Sequence, residues 1–289
     1  MRRFLLAAAM FGTVSCAQAA DMPDFLRGGF TAVPVARNWS GWYIGGQVDY
    51  SSANIDLSHS NQSMISFILR NTVIEQPVSQ LNLFSKQHAQ ATGFGGFVGR
   101  NWQWDEVVLG VEANYVYFNS LATSAQNSLS RRFDNPGGQV LPPGHTDEFN
   151  VTVTGAAALQ IKDVLTFRGR AGWATGDFLP YMFGGLAVGR LAVSRSVTVN
   201  ALETDIFNGI DPTTGAAFQT ITPIAALSMS QAEQRGNNLT VGWTAGLGSE
   251  VMLFGNVFAR VEWEYVRFVS VKNMTSEMNS AHAAIGYKF

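Results

Sequence analysis

The sequence predicts an all-β protein: a transmembrane, antiparallel, up-and-down β-barrel of eight strands with long extracellular loops. Three observations predict it. Segments of about ten residues alternate apolar side chains with small or polar ones, the period of a strand that has lipid on one side and a lumen on the other. The connections between these segments alternate between short and long. Charged residues make up only 14 % of the 289-residue chain, well below the roughly 25 % of ordinary globular chains. Much of the surface must therefore be hidden from water, in a large core or against lipid.

The chain opens on an export signal. Arg2 and Arg3 form a basic start, Phe4 to Val14 an apolar run, and Ala17-Gln18-Ala19 a small-x-small cleavage pattern. The run is too short for a bilayer-spanning helix, which needs about 20 apolar residues. We assign residues 1–19 to a signal peptide cut after position 19 or 20, 20–39 to a periplasmic lead-in, and 40–289 to the barrel. Cys16 is the only cysteine and leaves with the signal, so disulfides and cysteine-based metal chemistry are excluded. Thr13-Val14-Ser15-Cys16 only loosely resembles a lipidation box. Further along, no apolar run reaches the length of a spanning helix. An exported chain of this kind is either soluble in the periplasm or a closed barrel, because only helices and barrels satisfy every backbone group in lipid. The net charge is −2, from 19 basic and 21 acidic residues without a Lys/Arg run, which argues against a nucleic-acid partner.

The strands follow in order. In the first, Trp42, Ile44, Val48 and Tyr50 share one face, and Tyr43, Gly45, Gln47 and Asp49 the other. In the third, Leu109, Val111, Ala113, Tyr115 and Tyr117 oppose Gly110, Glu112 and Asn114. In the fourth, Phe167, Ala171 and Trp173 oppose Arg168, Arg170 and Gly172. In the sixth, Val241, Trp243, Ala245 and Leu247 oppose Gly242, Thr244, Gly246 and Gly248. In the seventh, Val257, Ala259, Val261, Trp263 and Tyr265 oppose Arg260, Glu262 and Glu264. The eighth ends the sequence on Ile285, Tyr287 and Phe289 in alternation. The second, near 93–102, and the fifth, near 179–192, are apolar or glycine on both faces, so their inside and outside stay open. Turns at 104–106, 175–177 and 253–255 are short. The connections near 53–90, 120–160 and 197–235 are long, and one near 271–278 is intermediate. Short periplasmic turns alternating with long outer loops is the outer-membrane pattern. Apolar stretches at 64–69 and 151–159 point to strands that outrun the membrane or to extra hairpins, which makes ten strands the alternative count.

A set of motifs then carries a family resemblance. Trp39-Ser40-Gly41-Trp42-Tyr43-Ile44-Gly45-Gly46 opens the barrel, and Gly99-Arg100-Asn101-Trp102-Gln103-Trp104 precedes Val108-Leu109-Gly110-Val111-Glu112. Phe167-Arg168-Gly169-Arg170-Ala171-Gly172, Leu179-Pro180-Tyr181 with Gly184-Gly185-Leu186-Ala187, Val241-Gly242-Trp243-Thr244-Ala245-Gly246 and Gly286-Tyr287-Lys288-Phe289 complete it. Over residues 38–289, loops apart, the chain resembles the alphaproteobacterial porin-like outer-membrane surface proteins. The resemblance implies an eight-stranded, OmpA-type barrel in the outer membrane that supports envelope integrity, with passage of small solutes slight at most. Its implied partners are outer-membrane lipid and lipopolysaccharide, and the barrel assembly machinery, for which terminal Phe289, with Tyr287, is the implied recognition element. With the last strand closing the sequence, no peptidoglycan-binding domain is expected after it.

Other motifs carry less. The glycine run 93–99 fits neither the dinucleotide nor the phosphate-loop pattern, so we read it as close packing in a curved strand. His145, Asp147 and Glu148 lack a second ligand set with metal-site spacing and read as a solvated turn. Ser280 and His282 could suggest a lipid hydrolase, but a Ser–His pair needs an orienting third group. With nothing acidic obvious beside it, His282 reads as a polar lumen or rim residue. The informative polar set is Glu112, Arg168, Arg170, Arg260, Glu262 and Glu264. On a lipid face a mid-membrane Arg costs roughly 2–4 kcal/mol, so their alternation places them in the lumen. An eight-stranded barrel is just wide enough to be filled by side chains, which favours an ion-pair network over a conducting constriction. We therefore expect a non-enzymatic surface barrel with no cofactor and no metal. The alternatives are a diffusion porin and a lipid-modifying barrel enzyme.

Overall fold

A computed structural model describes residues 37–138 and 140–289. The export signal and the lead-in up to residue 36 lie outside the described residues. Eight strands pair in sequence order and close into one barrel, so the ten-strand alternative does not hold. They are β1 (Gly41–Asp56), β2 (Lys86–Trp104), β3 (Val107–Asp134), β4 (His145–Trp173), β5 (Phe178–Ile210), β6 (Ala217–Phe254), β7 (Val257–Phe268) and β8 (Thr275–Lys288). Closure runs from Tyr43 opposite Lys288 to Asp56 opposite Thr275.

The expected alternation holds on every strand where it was read. Trp42, Ile44, Val48 and Tyr50 face outward, while Tyr43, Gln47 and Asp49 are buried. The two undecided strands resolve as well. On β2, Phe97 and Asn101 point in while Phe94, Val98 and Trp102 point out; on β5, Leu179, Tyr181 and Phe183 point in while Phe178, Met182 and Leu186 point out. Both faces are apolar here because this end of the lumen is itself packed with aromatic rings. Charges at the strand ends depart from the inward rule, and at the outer end of β7 Arg267 faces out beside Glu277. Arg100 lies outside between Trp42 and Trp102, 5.5 and 5.2 Å from the two rings, at the short-turn end where a long side chain can snorkel to water.

The long connections differ from expectation. Most of 120–160 and 197–235 is strand, leaving turns at 135–144 and 211–216. A bilayer needs strands of about 9–11 residues, whereas β3 to β6 run to 28, 29, 33 and 38 residues. The surplus forms a four-stranded sheet outside the membrane. Register shifts at Tyr117/Leu121, Ile161/Asp163 and Leu191/Val193 sit where three of these strands leave the apolar band. A bulge there re-aims the strand. Residues 151–159 thus extend β4 as expected, whereas 64–69 does not form a strand.

Those residues instead build α1 (Gln62–Ile68), followed by α2 (Glu75–Ser79). Met64, Ile65, Ile68 and Leu69 recur at helical spacing, and their shared side enters the concave face of the outer sheet among Leu121, Val153, Leu159, Val193 and Val197. Arg195 donates to the Ser60 carbonyl at 2.5 Å, Asn61 to that of Ser196 at 3.0 Å, and Asn127 to that of Leu83 at 2.8 Å. Arg195 and Lys272 also converge on Glu233, at 2.6 and 3.0 Å, and their hydrogen bonds hold its carboxyl down at about 2. A depressed carboxylate stabilises at pH above its ordinary value near 4.5 and loses that contribution as the pH falls towards about 2. This link between β5, β6 and the last loop therefore stays intact at neutral pH.

At the short-turn end the chain before β1 forms a floor. Trp39 is buried, its backbone N–H bonded to Gln103 at 2.6 Å and its indole N–H to the Gly176 carbonyl at 3.3 Å, while Arg37 pairs with Asp177 at 2.6 Å. The end of the expected lead-in is thus part of the barrel.

Ile65 is fully buried, and truncating such a residue typically costs about 2–5 kcal/mol. Ile65→Ala should therefore speed proteolytic cleavage between residues 57 and 85 while the membrane-embedded strands stay protected. Unchanged cleavage there would show that α1 is not held by this packing.

Candidate functional site: the charged lumen

The lumen is built in layers along the barrel axis. Above the Trp39 floor, Tyr43, Phe97, Tyr181, Phe183 and Phe258 form an aromatic layer. The space comes from glycine. A Cβ on Gly45 would strike the Phe97 ring, one on Gly99 the Tyr43 ring, and one on Gly286 the Phe258 ring. The expectation for the 93–99 run, close packing within a strand, is what this part of β2 does.

Next comes the charged layer, and all six expected residues are in it. Glu112, Arg168, Arg170, Arg260, Glu262 and Glu264 are each no more than 5 % exposed. Glu112 on β3 accepts from Nε of its cross-strand partner Arg168 at 2.8 Å and from Arg260 on β7 at 2.8 Å, with Arg170 at 3.4 Å. Arg168 also reaches Glu262 at 2.7 Å, and Tyr181 donates its hydroxyl to the same carboxylate. The guanidinium planes rest on the aromatic layer: Arg260 over Phe97 at 3.8 Å, Arg170 over Tyr181 at 3.8 Å, and Arg168 over Phe183 at 4.1 Å. Each guanidinium is thus desolvated, paired and stacked, which is how arginine is accommodated away from water.

These positions have a sequence cause. Across the strand pairs Glu112 faces Gly99, Arg170 faces Gly110, Arg168 faces Gly185, Glu262 faces Gly248 and Glu264 faces Gly246. A glycine beside each of these five side chains leaves room for it to lie across the lumen, whereas Arg260 faces Glu250 and Ala284.

The sequence profile of the outer membrane protein beta-barrel domain family matches residues 4–289. The chain belongs to that family. This outer-membrane barrel is similar to the 25 kDa outer-membrane immunogenic protein of Brucella ovis, 23 % identical over 195 residues, 68 % of this chain and 62 % of that protein. The match therefore spans less than two thirds of the relative's length. Among solved structures it is similar to Neisserial surface protein A, with 12 % identity, 86 % and 98 % of the two chains covered and a TM-score of 0.32. It is similar also to Ail, the attachment invasion locus protein of Yersinia pestis, with 9 % identity, 86 % and 99 % coverage and a TM-score of 0.28.

Three further residues join the barrel's charged layer, and of these Glu250 was not read from the sequence. Glu250 receives Arg170 at 2.8 Å and Arg260 at 2.7 Å. It continues the inward parity of Gly246 and Gly248 by one more step, so extending the sixth strand two residues would have found it. Asp49 and His282 are the others. His282 lies in the lumen, as one of its two expected placements, but acidic groups do flank it. Its Nδ1 meets Asp49 and its Nε2 lies 3.0 Å from Glu264. Closure of β8 onto β1 sets Asp49 opposite His282, a pairing between chain ends that no local pattern announces. Ser280 does not join His282; its hydroxyl bonds to Ser51 at 2.6 Å.

The remaining candidates are dispersed. His145 pairs with Asp205 at 2.8 Å and Glu148 with Arg132 at 2.9 Å. They lie at the start of β4, not in the solvated turn expected. Among the described residues no group of three or more His, Cys, Asp or Glu could hold a metal ion. Tyr287 and Phe289 face outward with ring centroids 5.2 Å apart, and the Phe289 N–H bonds the Trp42 carbonyl at 2.8 Å.

Removing one member of a buried ion pair typically costs about 3–5 kcal/mol, because the partner is left uncompensated. Glu112→Ala should lower the thermal transition of the refolded barrel, and the loss should shrink when Arg168→Ala is added. A double-mutant cycle reads that coupling; strictly additive losses would mean that the pair is not coupled.

Proposed function

We propose that this outer-membrane barrel is a sealed membrane anchor that supports the envelope and displays its outer sheet, not a diffusion channel and not an enzyme. One observation carries the reading. The lumen holds a stacked ion-pair layer between an aromatic floor and an apolar plug, with side chains from every strand filling the cross-section. Ions crossing such a barrel would need to break buried pairs whose members are held on both sides. Reconstituted protein in a planar bilayer should accordingly give no stable single-channel steps. Regular steps would replace this reading with the diffusion porin.

The lipid-modifying reading finds less support, because the Ser280 hydroxyl is fully buried and spent on Ser51 rather than on His282. The partners of an anchor are the lipid and lipopolysaccharide against its aromatic bands and the assembly machinery that inserts it. Delivery to that machinery uses the amino-terminal export signal, cut after residue 19 or 20. Tyr287 and Phe289 are the assembly signal in this reading, supported by their outward alternation at the end of the closing strand. Deleting Phe289 should lower outer-membrane yield and leave protein in the periplasm, as fractionation and immunoblotting would show. Undiminished insertion would remove that role.

A further inference from the structure

The extracellular sheet holds a cavity of about 250 Å³ that belongs to neither the sealed lumen nor the lipid face. Asp147 and Phe149 of β4, Glu203 of β5 and Leu227 of β6 line it, and Val73 and Ile74 from the turn between α1 and α2 complete it. Its charged side is purely acidic and not internally compensated, and its other polar residue is Thr72. Asp147 is only 8 % exposed, yet its Oδ1 accepts no hydrogen bond. Among the described residues no lysine or arginine pairs with Asp147 or Glu203. The nearby basic groups are engaged elsewhere: His145 with Asp205, and Arg132 with Asp134 and Glu148. Burial, then the neighbouring Asp205, pushes the Asp147 carboxyl up; burial, then Asp147, does the same to Glu203. The site therefore carries two carboxylates that a positive charge would satisfy, set against an apolar wall.

We propose that this cavity binds a compact organic cation, a protonated amine bearing an apolar group. Its ammonium sits between Asp147 and Glu203, and its apolar body lies against Phe149, Ile74 and Leu227. A hard divalent metal fits less well, since Ca²⁺ takes 6–8 oxygen ligands and Mg²⁺ an octahedral shell, and most of this lining is hydrocarbon. The volume is close to the lower end of small-molecule sites, about 300 Å³, which limits the guest to a single ring or a short chain. An amine between the buried Asp147 and the half-exposed Glu203 makes charge-assisted hydrogen bonds, roughly twice as strong as neutral ones.

The test uses the full-length protein refolded in lipid nanodiscs, with benzylamine as the probe and benzyl alcohol as its neutral isostere, followed by titration calorimetry. Benzylamine should bind saturably at one site, at least about tenfold more tightly than the alcohol, a difference of about 1.4 kcal/mol. Asp147→Asn and Glu203→Gln should each remove most of that preference. Leu227→Trp, which fills the cavity and leaves both carboxylates, should abolish binding of either probe. If Asp147→Asn fails to fold, Glu203→Gln and Leu227→Trp carry the same comparison. Equal affinity for amine and alcohol, no saturable binding to the folded protein, or unaltered binding in the folded variants would overturn the proposal. Displacement of the amine by Mg²⁺ with saturable Mg²⁺ binding of its own would overturn it in favour of a metal site.

Discussion

The desolvated charge of Glu112 is what the rest of the barrel is arranged around. It sits on β3 and is met by guanidinium groups from β4 and β7, so its contacts span the lumen and do not merely follow neighbouring strands. A hydrogen-bonded ring of strands fixes distances along its wall but resists flattening only weakly. A side-chain brace across the diameter supplies that resistance. The brace is stable because lipid excludes every alternative: turned outward, the same groups would lose their partners and enter hydrocarbon. The aromatic layer beneath then follows as a platform for the arginine planes, and the glycines opposite Glu112, Arg168, Arg170, Glu262 and Glu264 follow as the space they need.

Above the brace the physics changes. Outside the membrane, water surrounds the sheet, and its concave face is covered as a soluble domain would cover it, by an amphipathic segment carrying Met64, Ile65 and Leu69 inward. One chain thus solves two solvation problems on the same four strands. In lipid the apolar residues of β3 to β6 face out and the charges face in; beyond the bulges Leu121 of β3 and the apolar residues of β4 and β5 face in against α1, while Phe218, Ile221, Ile224 and Met229 of β6 stay exposed. The side-chain period of two runs through both regions, but the face that carries the hydrocarbon changes where the register shifts.

That change marks the boundary of what could be read from the sequence. Within lipid a strand has one apolar face, so Glu112, Arg168, Arg170, Arg260, Glu262 and Glu264 could be placed inside by parity alone. Where the lumen is aromatic, as at Phe97 and Tyr181, both faces are apolar and parity carries no information. In the outer sheet the stretches 217–230 and 121–134 are rich in Ser, Thr, Gln and Ala; most of their side chains stay exposed, while Leu121 is buried and Ala125, Leu129, Phe133 and Leu227 pack partly against the core. Composition of that kind reads as loop, since its large apolar residues are too sparse to mark an alternation; pairing with an amphipathic neighbour, β5 or β4, is what makes it strand. The Asp49–His282 contact is invisible for a different reason, because it exists only once the ring has closed.

Those same polar stretches explain how the protruding sheet ends. Beyond Leu121, β3 pairs with β4 and not with β2; before Gly242, β6 pairs with β5 and not with β7. The outer sheet therefore has two long free edges, which would ordinarily recruit other strands. Each is interrupted. On β3, Arg131 and Arg132 place charge near the tip. On β6, Pro223 removes a backbone donor beside the register shift at Glu203/Thr204, and Glu233, held by Arg195 and Lys272, fixes the strand to its neighbours lower down. Exposed polar side chains in these segments keep the edges wetted where α1 and α2 cannot cover them. A rigid sheet can then project well beyond the membrane without an edge that propagates, because its inner face is plugged, its base is braced by Glu112 and its rims are broken by charge and proline.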